Sequence, residues 1–235
     1  MLKYPLISCD ESDKTAHGYF ITGTDTDCGK TEVTLGLMRL LQQRGLSVVG
    51  MKPVASGAVT TADGPRNEDA ARISQQASLQ VDYDLVNPFA YAPPIAPHLA
   101  AEQVGRKIDF WRIRASYQVL ASRAECVIVE GVGGWRVPLG KDQTVSDLAG
   151  LLELPVILVV GLKLGCINHA LLTAESIVAS GMELAGWVAN VTDSRMLELD
   201  ANIETLKQRI KAPLLGVVPR LAKPTAKAVA DCLTL

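Results

Sequence analysis

The chain has 235 residues, 48% apolar and 20% charged, which excludes a disordered or low-complexity chain and leaves enough length to bury a full core without covalent staples. A net charge of −2 argues against a broad nucleic-acid footprint. The five cysteines, at positions 9, 28, 126, 166 and 232, lack CxxC spacing, so neither a zinc site nor a disulfide framework is expected.

Residues 1–17 carry Asp10, Glu11 and Asp13 without an apolar core. They read as an N-terminal tail rather than a signal peptide, with 18–235 as one domain. From there strand-like and helix-like patterns alternate. Short apolar runs predict strands over 19–22, 48–53, 127–130, 156–161, 185–189 and 214–218. Between the first two, Val33, Leu37, Leu40 and Leu41 fall on one helical face that Gly45 terminates. Further helices are predicted over 67–79, 110–123, 168–180 and around Leu199, Ile203, Leu206 and Ile210. Segment 81–105, with prolines at 88, 93, 94 and 97, breaks the rhythm and predicts a long loop with a short helix near 99–104. The sum is an α/β fold, a mostly parallel sheet with helices on both faces. The longest apolar stretch, 154–162, is too short for a bilayer, so a cytoplasmic protein with no membrane partner is expected.

Three motifs lie where such sheets bind ligands, beyond the carboxyl ends of the strands. The first strand runs into Gly23-Thr24-Asp25-Thr26-Asp27-Cys28-Gly29-Lys30-Thr31 and then a helix. A glycine-rich turn opening a helix is a phosphate cradle, with Lys30 to reach the β and γ phosphates and the Thr31 hydroxyl to ligate magnesium. The strict pattern would place its first glycine at 24, where threonine stands. The second motif, Met51-Lys52-Pro53-Val54-Ala55-Ser56-Gly57, brings an ammonium to the same edge, where it can sit beside a transferring phosphate. Lys52 is expected to contribute little to packing. The third, Val129-Glu130-Gly131-Val132-Gly133-Gly134, ends a buried strand in an acid, which is costly unless paired or metal-bound. Asp69, near a helix start, fits a metal ligand or a helix-dipole acid equally well. His17, His98 and His169 show no ligand spacing, and Arg106, Lys107, Arg112 and Arg114 read as a solvated basic face.

Together these residues describe a P-loop NTPase-like, magnesium-dependent nucleotide enzyme or switch without revealing a substrate. The sequence resembles the dethiobiotin synthetase family in runs spread over 18–221. They include Thr22 to Thr26 with Gly29-Lys30-Thr31, Lys52 to Gly57, Arg66-Asn67 with Asp69, Pro97-His98, Glu130-Gly131 with Gly133-Gly134-Trp135, and Ala185 to Asn190. The resemblance implies ATP- and magnesium-dependent ring closure of 7,8-diaminopelargonic acid with carbon dioxide, through a carbamate and a carbamic-phosphoric anhydride. By resemblance Lys52, Lys30 and Thr26 are catalytic, and Thr31, Asp69 and Glu130 hold magnesium. ATP would lie against Asp27, Cys28, Gly29, Lys30, Thr31, Glu32, Asp69, Glu130, Gly131, Val132 and Gly133. Asn190, Val191, Pro219, Arg220 and Leu221 would take its base. Ser56 and Asp27 would contact the diamine, and the turn Gly165, Cys166, Ile167, Asn168 would hold its carboxylate across a homodimer interface. Asp27-Cys28 departs from the family's usual Glu-Val, leaving the acid one methylene shorter. The alternative is a partitioning or septum-site ATPase. Such proteins often carry a second lysine early in the loop and a basic or amphipathic tail, which 24–27 and 228–235 do not show.

Overall fold

A computed structural model describes residues 17–235, so the reading of 1–16 as a tail lies outside the described residues. Residue 17 itself opens a strand, one position inside the predicted tail. Six strands form the main sheet: β1 (His17–Gly23), β2 (Val48–Met51), β7 (Cys126–Glu130), β8 (Val156–Leu162), β9 (Leu184–Val191) and β10 (Leu214–Val218). Their order is β10-β9-β8-β1-β7-β2, and every pairing is parallel. β2, β7 and β8 are buried along their whole length, as continuous Val/Ile/Leu runs require in a sheet covered on both sides.

Alternate side chains feed two separate cores. Val156, Leu158, Val160 and Leu162 of β8 join Phe20 and Trp187 on one face. Ile157 and Val159 join Ile21 and Val188 on the other. Each such buried side chain contributes about 1.5–3 kcal/mol. Helix α1 (Lys30–Gln43) covers the second face with Val33, Leu37 and Leu41, and Gly45 (φ 89°) turns the chain at its end. On the first face lie α5 (Phe110–Ala121), α6 (Val145–Leu152) and α7 (Cys166–Ala179), whose buried residues belong to that core. Helix α8 (Leu199–Arg209) packs on α7, and α9 (Ala226–Ala230) packs on α1.

All six predicted strands are present, but several boundaries move. The predicted 48–53 strand stops at Met51. Pro53 has no N–H to offer a ladder, and the chain resumes as β3 (Val54–Ser56) in a separate parallel pair with β6 (Phe89–Tyr91). The predicted loop 81–105 also holds α3 (Tyr83–Val86) and β6, and its predicted short helix is α4 (Pro97–Gln103), with Pro97 in the first turn. Between β3 and α2 (Glu68–Gln76) rises a hairpin, β4 (Val59–Thr61) and β5 (Gly64–Arg66). Asn67 caps α2 by accepting from the Ala70 N–H. The start of α7 is Cys166, not residue 168, because Gly165 (φ 94°) makes the turn. The expected solvated basic face is partly engaged: the Arg106 and Arg112 guanidiniums lie 5.0 and 5.5 Å from the centre of the Phe89 ring.

Candidate active site

The carboxyl end of β1 passes directly into the 23–31 loop, and its close packing explains its glycines. A Cβ at Gly23 would stand 2.3 Å from the Cys28 Sγ, and one at Gly29 (φ 92°) 2.0 Å from the Asn190 Nδ2. Cys28 is buried inside the loop, so its contribution to an anion site is its backbone. Asp27 adopts φ 58°, a left-handed conformation that Asp and Asn tolerate better than most residues. Lys30 is buried and donates from Nζ to the Asp25 carbonyl at 2.8 Å.

Beside the loop sits a compact charge cluster. The Lys52 Nζ lies 2.9 Å from the Asp69 Oδ2 and 2.5 Å from the Glu130 Oε1, and the Thr31 hydroxyl donates to the same Glu130 oxygen at 2.8 Å. Glu130 is 0% exposed and Lys52 5%, so the acid ending β7 is paired, as its burial demands. Burial works against the Lys52 ammonium, but the Glu130 and Asp69 carboxylates outweigh it and hold its pKa above the ordinary lysine value. Burial likewise opposes the charged Asp69, and Lys52 more than offsets it, keeping that carboxyl below its ordinary value. The expectation that Lys52 matters little to the fold is corrected here: it is the counter-ion of a fully buried carboxylate. The other Glu130 oxygen, Oε2, is buried without a hydrogen-bond partner, and so is the Ser56 hydroxyl.

These groups line one cleft of about 710 Å³ together with Thr26, Asp27, Gly29, Glu32, Val132 and Gly133. Its far wall is Pro94, Ile95, Ala96 and Pro97, from the segment predicted only as a loop. A second cavity of about 260 Å³ is lined by Asn190, Val191, Pro219, Arg220 and Leu221. Asn190 reaches the loop as well, donating from Nδ2 to the Cys28 carbonyl at 2.8 Å and leaving its amide oxygen as an acceptor. Gly131 borders neither cavity; a Cβ on it would meet the Phe20 ring at 3.1 Å. The turn Gly165, Cys166, Ile167, Asn168 also stands apart from both. The Cys166 side chain is buried, while Gly165 and Asn168 are exposed beside Leu164, at 95% the most exposed large apolar side chain among the described residues. Nothing in the sequence marks Arg72. Its guanidinium grips Glu32 with two hydrogen bonds of 2.7 and 2.9 Å at the lip of the cleft. A lone arginine inside an amphipathic helix carries no local signal of such a partner.

A parallel sheet whose first strand opens through a glycine-rich loop into a helix, with a lysine, a hydroxyl and strand-end carboxylates around it, defines a P-loop nucleoside triphosphatase fold. Solved structures agree at the level of fold. The ParA-family ATPase of Chlorobium tepidum TLS superposes with a TM-score of 0.56 over 93% of this chain and 98% of its own at 12% identity. The MinC:MinD complex of Aquifex aeolicus gives 0.55 over 92% and 86% at 14%. Residues 17–228 match a family model described as an AAA domain. The sequence itself is similar to curated proteins named ATP-dependent dethiobiotin synthetase BioD. That of Pseudomonas aeruginosa strain UCBPP-PA14 is 53% identical over 218 residues, covering 92% of this chain and 96% of that protein. That of Cellvibrio japonicus is 52% identical over 217 residues, covering 92% and 95%. The chain belongs to the ATP-dependent dethiobiotin synthetase family. Among the described residues no helix is long and apolar enough to cross a membrane.

Proposed function

We propose that this protein makes dethiobiotin in biotin biosynthesis, by the ATP-dependent ring-closing carboxylation of 7,8-diaminopelargonic acid. The observation that carries the reading is the convergence of Lys30, Lys52, Thr31, Asp69 and Glu130 on one cleft in a chain of this family. Two carboxylates and a hydroxyl, with the Glu130 Oε2 lacking a partner, suit a hard cation that also binds substrate phosphates, so Thr31, Asp69 and Glu130 would hold magnesium. Bound there, magnesium would supply positive charge to the phosphoryl oxygens.

The residues of this chain then have separate tasks. The loop N–H groups and Lys30 hold the triphosphate. Lys52 turns from Asp69 and Glu130 towards the carbamate and the γ-phosphate, neutralising charge that develops as the carbamate oxygen attacks. Thr26, Ser56 and Asp27 position the diamine; the unpartnered Ser56 hydroxyl is free to bond an amine or a carbamate oxygen. The second amine closes the ring on the anhydride, releasing phosphate. The Asn190 amide oxygen accepts from the adenine amino group, and the 219–221 backbone lines the base. The first turn of α7 carries partial positive charge suited to the substrate carboxylate. It lies outside the chain's own cleft, which favours a homodimer in which each turn serves the other subunit's site. The protein works in the cytoplasm.

The test is ADP and phosphate release from ATP with diaminopelargonate and bicarbonate, compared with ATP alone, alongside mass detection of dethiobiotin. Strong dependence on the diamine is expected. Equal ATP turnover with and without it would instead favour the partitioning-type switch whose fold this chain shares.

A further inference from the structure

Asp27 and Glu32 line both cavities, the phosphate cleft and the smaller one around Asn190. A nucleotide with its phosphates at Lys30 and its base at Asn190 must pass between them, and the part that lies there is the ribose with the α-phosphate. Glu32 is the better held of the two acids. Its two oxygens accept from the Arg72 Nη1 and Nη2 at 2.7 and 2.9 Å, a planar two-point grip that fixes the carboxylate plane. An ionised carboxylate has about four acceptor sites, so two remain open on a side chain that lines both cavities. It cannot bond a phosphate oxygen, which also only accepts, and Arg72 cancels the repulsion it would exert on one. The remaining donors on that stretch of a nucleotide are the sugar hydroxyls.

We infer that Glu32, braced by Arg72, accepts a hydrogen bond from the ribose hydroxyls and so selects ribonucleotides over deoxyribonucleotides. This rests on the nucleotide reading of the site. Arg72 is a positioning residue: it touches Glu32, not the sugar. A purely structural α1–α2 cross-link would change melting temperature but leave sugar selectivity untouched.

The experiment titrates the protein calorimetrically with ADP, 2′-deoxy-ADP and 3′-deoxy-ADP, which bind without turnover. A hydrogen bond to a charged acceptor predicts that wild type binds ADP about tenfold or more tightly than at least one deoxy analogue. Glu32→Ala should bring that ratio close to one, and Arg72→Ala should lower it part of the way. Glu32→Gln, which keeps the shape of the side chain, should also lower it and guards against misfolding of the alanine variant. Equal wild-type affinity for all three ligands, or an undiminished ratio in a folded Glu32 variant, would overturn the inference alone. Failure of ADP itself to bind wild type would remove the nucleotide reading and the inference with it.

Discussion

Replacing Lys52 with glutamine separates the catalytic role proposed for that ammonium from its structural one. In wild type it is the cationic partner of Glu130, whose carboxylate has no exposure, and its second partner is Asp69. Removing one partner of a buried pair costs about 3–5 kcal/mol because the other charge stays buried. The glutamine amide can still donate to Glu130, as Thr31 does, which puts the expected loss near the lower end, about 3 kcal/mol. At about 2–4 °C per kcal/mol for a domain of this size, the melting temperature should fall by about 6–12 °C. The double variant Lys52→Gln/Glu130→Gln buries neither charge and should melt well above the sum of the two single losses. Turnover of the folded single variant at saturating substrate should drop by at least about 10²–10³, the usual consequence of deleting one donor to developing charge. Thermal melts, with dethiobiotin formation measured well below the transition, give both numbers. An unshifted melt would refute the buried-pair account. Turnover within a few-fold of wild type would refute the placement of Lys52 beside the transferring group.

Three further outcomes are expected. Asp69→Ala and Glu130→Ala should each raise the magnesium concentration giving half-maximal activity; an unchanged titration for either removes that residue from the metal site. Asp69 titrates below its ordinary value, so its ion pair stabilises fully above about pH 4–5 and is lost as pH falls through the depressed native value. The stability gap between wild type and Asp69→Asn in urea melts should therefore be widest near neutral pH and close in acid; a gap independent of pH would contradict the pairing. Mixing inactive Lys52→Gln chains with chains carrying Gly165→Val, which strains a residue at φ 94°, should restore partial activity through hybrid dimers. A fully active monomer in sedimentation would refute the shared site.

The sheet and the glycine-rich loop were legible in the sequence because both rest on local pattern: continuous apolar runs, helical periodicity and a lysine after glycine at a helix start. Glu130 was legible for a related reason, since an acid closing a buried strand demands a partner. Its partner was not. Lys52 and Glu130 are 78 residues apart in the chain, and only the sheet order, with β7 between β1 and β2, brings them together. That is why the sequence places Lys52 at the ligand-binding edge but gives it no part in the packing, while it is the counter-ion of Glu130. The Glu32–Arg72 grip was hidden for the same reason. The proline-rich stretch before α4 hid a strand, because β6 has three residues and pairs only with β3, too short a run to show a period.

The place of β1 in the middle of the sheet sets a timetable for synthesis. Its partners are β7 and β8, and the nearer of these begins roughly 100 residues after β1 ends. At about 5–20 residues per second the ribosome needs roughly 5–20 s to deliver that partner. Through that interval the emerging chain carries an apolar strand, the loop behind it and the inner side of α1 with no sheet to receive them. The β2 edge must wait as well, since it too pairs with β7. Assembly of the cleft is thus a late event on the nascent chain, gated by β7, the one strand that pairs with both β1 and β2.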